Sequence, residues 1–199
     1  MNSHIDCRFI LLLYLALSMS PSTVYAAEPF PDHRQITKGI ESTVISGIGT
    51  SNVSERRYEP ILLIWHIGVD LKTYFPSLEN KQGSLSVYFE PQVNPSYSPD
   101  QNIEFGLGVG IQYRYPFTES LSGYVLGSTG PHYISLVSSY QANGFIFSDT
   151  LGCGFYYFLQ GNSALNLGYR FRHLSNASLA QPNNGINTNF ITLGYAMFF

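Results

Sequence analysis

Strict two-residue alternation, kept up over stretches long enough to cross a bilayer, constrains this chain more than any other feature. "IEFGLGVGIQYRYPF" is the clearest case. Its odd positions are Ile103, Phe105, Leu107, Val109, Ile111, Tyr113, Tyr115 and Phe117. Its even positions are Glu104, Gly106, Gly108, Gly110, Gln112, Arg114 and Pro116. Successive side chains of a strand point to opposite faces, so one face is apolar and flanked by aromatics while the other is polar or small. "ILLIWHIGVDLK" repeats the pattern, with Ile61, Leu63, Trp65, Ile67, Val69 and Leu71 opposed to His66, Gly68, Asp70 and Lys72. "LSVYFEPQV" and "ALNLGYRFR" do the same.

Eight strands are expected, near 38–50, 61–74, 84–93, 102–117, 121–136, 144–158, 163–175 and 188–199. A tilted spanning strand needs about 9–11 residues. The first and fifth alternate less cleanly, and Pro131 in the fifth predicts a bulge or a break in the ladder. Aromatic residues are 15% of the chain and charged residues 12%, against about 25% charged in a soluble domain. Beyond Ala27 no stretch approaches the roughly 18 apolar residues of a spanning helix. Few charges, many aromatics and no such helix leave the closed β-barrel as the common membrane solution.

Residues 1–26 read as a cleaved signal peptide. Arg8 lies in a short polar start, "FILLLYLALSMS" is too short to span, and Val24 and Ala26 suit a cleavage site before Ala27. A membrane anchor, the competing reading, would need a longer apolar run. The mature domain is then 27–199, with Cys153 its one thiol, which excludes a disulfide framework and a cysteine metal site. Ten basic against 13 acidic residues give no footprint for nucleic acid.

Tight "TES" and "QGN" alternate with the longer "SNVSERRYEP", "NPSYSPDQ" and "NASLAQPNNGIN", as periplasmic turns alternate with outer loops. Both chain ends fall on the periplasmic side, where "FPSLENKQG" is long for its place. A lipocalin-like barrel or β-sandwich would turn the apolar face inward. The polar face instead carries Glu41, Asp70, Lys72, Glu90, Glu104, Arg114, Arg170 and Arg172, mixed-sign charges that can pair inside a narrow barrel. The reading is an all-β, eight-stranded antiparallel transmembrane barrel of the bacterial outer membrane. "NFITLGYAMFF" resembles the C-terminal strand signature of outer-membrane proteins, ending here in Phe199. That resemblance implies the barrel-assembly machinery as a partner.

"RHLSNASLAQPNNGIN" (172–187) carries the chemistry. His173 and Ser175 share the parity of Leu165, Leu167, Tyr169 and Phe171, so they face lipid at the outer end of their strand. Ser is a nucleophile and His the base that takes its proton. Two residues on one strand face lie roughly 6.5–7 Å apart at Cα, so the side chains must lean together. The following loop offers amide and backbone donors for an oxyanion. The plainer alternative is an interfacial His and Ser with a loop turned to water.

This stretch resembles the hallmark of the lipid A 3-O-deacylase (PagL) family, with His173, Ser175, Asn176, Ala177, Pro182, Asn183 and Gly185 in register. "STGPHYIS" and "FIFSDTLGCG" resemble that family too. The resemblance implies a hydrolase of the ester-linked acyl chain at the 3-position of lipid A, the substrate being lipopolysaccharide in the outer leaflet. It implies Ser175 as nucleophile, His173 as base, Asn183 and the backbone near Asn176 as oxyanion donors, and neither metal nor cofactor. The family's acidic triad member falls at Asn187, which cannot balance an imidazolium charge, and its glycine is replaced by Ser178. Asp149 is the nearest other acid by parity; otherwise it is a loop-edge residue. Two other functions compete: a non-catalytic small barrel for adhesion or envelope structure, and a small-solute channel, which needs an open lumen. A homodimer stays open.

Overall fold

The computed structural model describes residues 39–53, 56–78, 82–159 and 161–199. The expected signal peptide lies outside the described residues. Eight long strands carry the fold: β1 (Ile40–Val53), β3 (Ile61–Asp70), β4 (Ser84–Ser96), β5 (Asn102–Pro116), β6 (Leu121–Ile134), β7 (Gly144–Phe158), β8 (Ser163–Ser175) and β9 (Ile186–Phe198). A short β2 (Arg56–Tyr58) lies between β1 and β3. Each long strand pairs antiparallel with the next, and β1 pairs with β9 from Glu41↔Phe198 to Thr50↔Asn189. That last ladder closes the sheet, so no long edge is left unpaired in the hydrocarbon.

The pleat sorts the side chains as alternation requires. Val44, Ile48, Leu151, Leu167 and Ile191 are exposed on the outer wall, while Glu41, Glu90, Glu104, Arg114, Arg170 and Arg172 are buried in the lumen. Both chain ends meet at one rim, where Phe199 N donates to Ile40 O at 2.9 Å and Ile40 N to Phe199 O at 3.1 Å. The tight β5–β6 and β7–β8 turns share this rim, which is therefore the periplasmic one.

Several boundaries differ from expectation, each for a local reason. The strand expected over 61–74 stops at Asp70. The Asp70 carboxylate accepts from Lys72 N at 2.8 Å and from Ser84 Oγ at 2.5 Å, turning the chain into 3-10 turns at Leu71–Thr73 and Pro76–Leu78. Lys72 accordingly sits half-buried in a rim turn rather than on the lumenal face of a strand. The long "FPSLENKQG" connection thus has internal structure. At the other rim, part of the expected loop 51–60 is a hairpin. β1 runs on to Val53 and pairs with β2, turning Val53 and Tyr58 inward onto Ile134, Leu136, Ile146, Leu174 and Ile186. The polar composition of that stretch hid two buried anchors. β4 continues past 93 through Pro95 to Ser96, β6 ends at Ile134, and β9 begins at Ile186.

Pro131 breaks the ladder without shifting register. β5 and β6 pair at Gly106↔His132 and again at Val109↔Thr129, with the two intervening positions open. The β3–β4 ladder is likewise open between Ile64↔Gln92 and Ile67↔Phe89, beside Pro91. A proline has no N–H for the ladder, which explains both gaps.

The lumen is filled, as an eight-stranded barrel requires. Arg170 grips Glu90 with two bonds of 2.8 Å, and His66 Nδ1 lies 2.7 Å from the same carboxylate. Arg172 meets Glu104 at 2.7 and 2.9 Å, and the latter also takes Asn94, His132 and Tyr58. Arg114 faces Glu41 at 3.3 Å. Toward the periplasmic rim, Tyr124, Tyr156, Phe158 and Phe198 pack as an apolar cluster. Among the described residues this packing fills these levels of the lumen, where the channel reading needs open space.

Candidate functional site

β8 carries its outward row, Leu165, Leu167, Tyr169 and Phe171, up to His173 and Ser175 at the outer rim. Both of the latter are half-buried against the wall. β9 sets Asn187 directly opposite His173 as its Cα partner. The Asn187 Oδ1 lies 2.6 Å from His173 Nδ1 and accepts a hydrogen bond from its N–H. That tautomer leaves Nε2 with a free lone pair. Among the described residues no hydrogen bond joins Ser175 to His173.

The chain after Ser175 turns sharply. Ala177 and Ser178 have φ of 51° and 64°, and Leu179 N donates to Asn176 O at 3.0 Å. This is a turn of type I′, whose two left-handed positions favour Gly, Asn or Asp. Glycine would sit at Ser178 without steric cost. Asn176 is buried and binds the turn from within: its N–H donates to Asn183 Oδ1 at 2.9 Å and its Nδ2 to Ala180 O at 2.9 Å. Asn183 Nδ2 reaches Ser178 Oγ at 3.5 Å, a long contact.

The loop docks on the neighbouring β6–β7 connection. Ala142 N donates to Pro182 O at 2.7 Å, and Asn184 Nδ2 to Tyr140 O at 2.8 Å. The buried Gln141 accepts from Gly185 N at 2.9 Å. Gly185 has φ +74°, and a Cβ built there would come 2.5 Å from His173 Cε1. The glycine is therefore the surface on which the imidazole rests, and no side chain fits. Gln141 escapes a sequence reading because "SSYQANG" looks like any polar loop.

Asp149 faces outward on β7. It is the Cα partner of His173 on one side and of Thr129 on the other. The Thr129 hydroxyl donates to Asp149 Oδ1 at 2.7 Å. Tyr169 Oη donates to Asn189 Oδ1 at 2.5 Å on the same face. Parity alone places Asn189 outward beside Asn187, a signal that sequence reading left unused. A polar patch thus interrupts an otherwise greasy wall at the outer rim.

Beside it the wall dips. A trough of about 800 Å³ is lined by Trp65, Pro91, Leu107, Pro131, Tyr133 and Phe145 among others. Pro91, Leu107, Pro131, Phe147 and Ser175 are successive register positions or their direct extension across five strands. The two ladder gaps at Pro91 and Pro131 lie on this line, which therefore runs from the trough to the serine.

Solved structures share the architecture. The outer membrane enzyme PagL superposes with a TM-score of 0.57 at 20% identity, over 79% of this chain and 99% of that one. Neisserial surface protein A gives a TM-score of 0.57 at 13% identity, over 81% of this chain and 98% of that one. At such identities the likeness is one of fold. No curated protein matches the sequence. The family model described as "Lipid A 3-O-deacylase (PagL)" matches residues 64–196, which take in β4 to β8 whole, most of β3 and β9, and the whole polar patch. This outer-membrane β-barrel belongs to the lipid A 3-O-deacylase family.

Proposed function

We propose that this barrel hydrolyses the ester-linked 3-hydroxyacyl chain at the 3-position of lipid A, working on substrate in the outer leaflet. The observation that carries the reading is the imidazole of His173. It is held by Asn187 through Nδ1, rests on Gly185, and stands two residues from Ser175 on the lipid face. Nε2 takes the Ser175 proton as Oγ attacks the ester carbonyl. The proton passes to the departing sugar 3-oxygen as the carbon–oxygen bond breaks. Water, deprotonated by the same nitrogen, then attacks the acyl-serine and frees the fatty acid and Ser175. The Asn183 amide and the backbone N–H of Ala177, next to Asn176, are suited to the oxyanion. The Asn176 N–H itself is occupied by Asn183 Oδ1. The apolar trough suits the acyl chain.

The test is the mass spectrum of lipid A from cells expressing the chain. Loss of one hydroxyacyl group is expected. An unchanged spectrum from a folded barrel would favour a structural or adhesive role instead. Gln141→Ala probes how the loop is held. It leaves the buried Gly185 N–H unpaired, at a cost of about 1–3 kcal/mol, and frees the glycine from the imidazole. Deacylation should fall by about tenfold or more, with the barrel still shifting mobility on heating in a gel. Unaltered turnover would mean that the docked loop does not position His173.

A further inference from the structure

We propose that Asp149 supplies the negative charge which Asn187 cannot, so that the roles of one triad acid are divided between two neighbours of His173. The effect on turnover rests on the deacylase reading above; the electrostatic coupling does not. Thr129, Asp149, His173 and Asn187 are successive Cα partners across β6, β7, β8 and β9. Directly opposed residues on one face bring their Cβ atoms to about 4.5–5.5 Å. Asn187 already occupies Nδ1 of the imidazole, and Thr129 fixes one oxygen of Asp149. The second oxygen of Asp149 has no protein partner among the described residues, and Asp149 is paired in register with His173 on the outward face.

A carboxylate on a lipid-facing wall is costly unless something offsets it. The outward rows of β7, β8 and β9 hold no other Asp, Glu, Lys or Arg. The nearby titratable outward groups are Tyr169, which donates to Asn189, and the exposed Cys153 further along β7, while Tyr140 of the adjoining loop packs on the apolar cluster inside the rim. Arg172, Glu104 and His132 lie behind the wall and are engaged with one another in the lumen. The imidazolium that forms during acyl transfer therefore has one anion on its own side of the sheet. Asn187 sets the tautomer by accepting a hydrogen bond from Nδ1–H; Asp149 supplies the negative charge through space. A triad Asp or Glu does both at once.

The experiment is an NMR titration of the His173 ring in the full-length barrel folded in detergent micelles. The signal is identified by its loss in His173→Gln. Asp149→Asn should lower the His173 midpoint, the direction expected when an opposite charge beside the ring is removed. Asn187→Glu on the Asp149→Asn background should restore it. Asp149→Ser serves if the Asn variant folds poorly. In kinetics with purified lipopolysaccharide, the acid limb of kcat/KM should move to lower pH in Asp149→Asn and the plateau should fall at least tenfold. Both should recover in the double variant. A merely structural Asp149 would leave the limb in place. An unmoved His173 midpoint in both Asp149 variants overturns the proposal. A shifted midpoint in a wild-type barrel that leaves lipid A intact upholds the coupling and overturns the deacylase reading instead.

Discussion

Ser175→Ala is expected to abolish the loss of the hydroxyacyl chain from lipid A while leaving the barrel assembled. Removing the nucleophile of a serine hydrolase costs about a millionfold in kcat, well beyond what a lipid A spectrum can detect. The fold should not notice. Ser175 is half-buried at the end of β8, makes no side-chain hydrogen bond among the described residues, and pairs by backbone with Phe147. Removing one hydroxyl at the interface leaves no buried group without a partner. Expression, heat-dependent gel mobility and the lipid A spectrum should be measured on the same cells. If deacylation persists in Ser175→Ala with the barrel folded, the nucleophile has been assigned to the wrong residue.

Arg172→Met should destabilise the barrel by roughly 3–5 kcal/mol, the cost of stranding one member of a buried ion pair. Arg172 and Glu104 are both enclosed in the lumen, at 2.7 and 2.9 Å from each other, and the guanidinium lies 4.9 Å from the centre of the Phe190 ring. Without the arginine, Glu104 keeps His132, Asn94 and Tyr58 but loses its permanent cation. Met approximates the length of the side chain, so the lost charge rather than a cavity dominates. Arg172→Met with Glu104→Gln should recover most of the loss, because replacing both charges removes the stranded one. Urea unfolding in lipid vesicles measures this. A double variant as unstable as the single would mean that packing, not charge, holds this level of the lumen. Arg172 adjoins His173 in the chain but faces the opposite side of the wall, so its effect should be on folding before chemistry.

Which side of each ribbon meets lipid was legible along the chain, because the pleat has a period of two and the solvent decides the sign. Glu104, Gly106 and Arg114 had to share a face, as did His173 and Ser175 with Leu167 and Phe171. The C-terminal stretch ending in Phe199 and the motif after Arg172 were equally plain. What the alternation could not carry was anything fixed by a partner far away in the chain. Tyr58 sits in a polar stretch and is buried only because Ile134 and Leu174 wait above the lumen. Asp70 ends a strand whose alternation continues, because its carboxylate captures Ser84 and the Lys72 amide.

The site divides in the same way. Its residue types and their outward direction belong to the sequence, since strand parity is local geometry. The row from Thr129 through Asp149 and His173 to Asn187, and the docking of Gly185 through Gln141, belong to the tertiary structure. Register between strands depends on turns, prolines and the closure of β1 on β9, and a one-residue slip would turn each side chain to the other face. Only the closed sheet could decide which acidic residue is paired in register with His173.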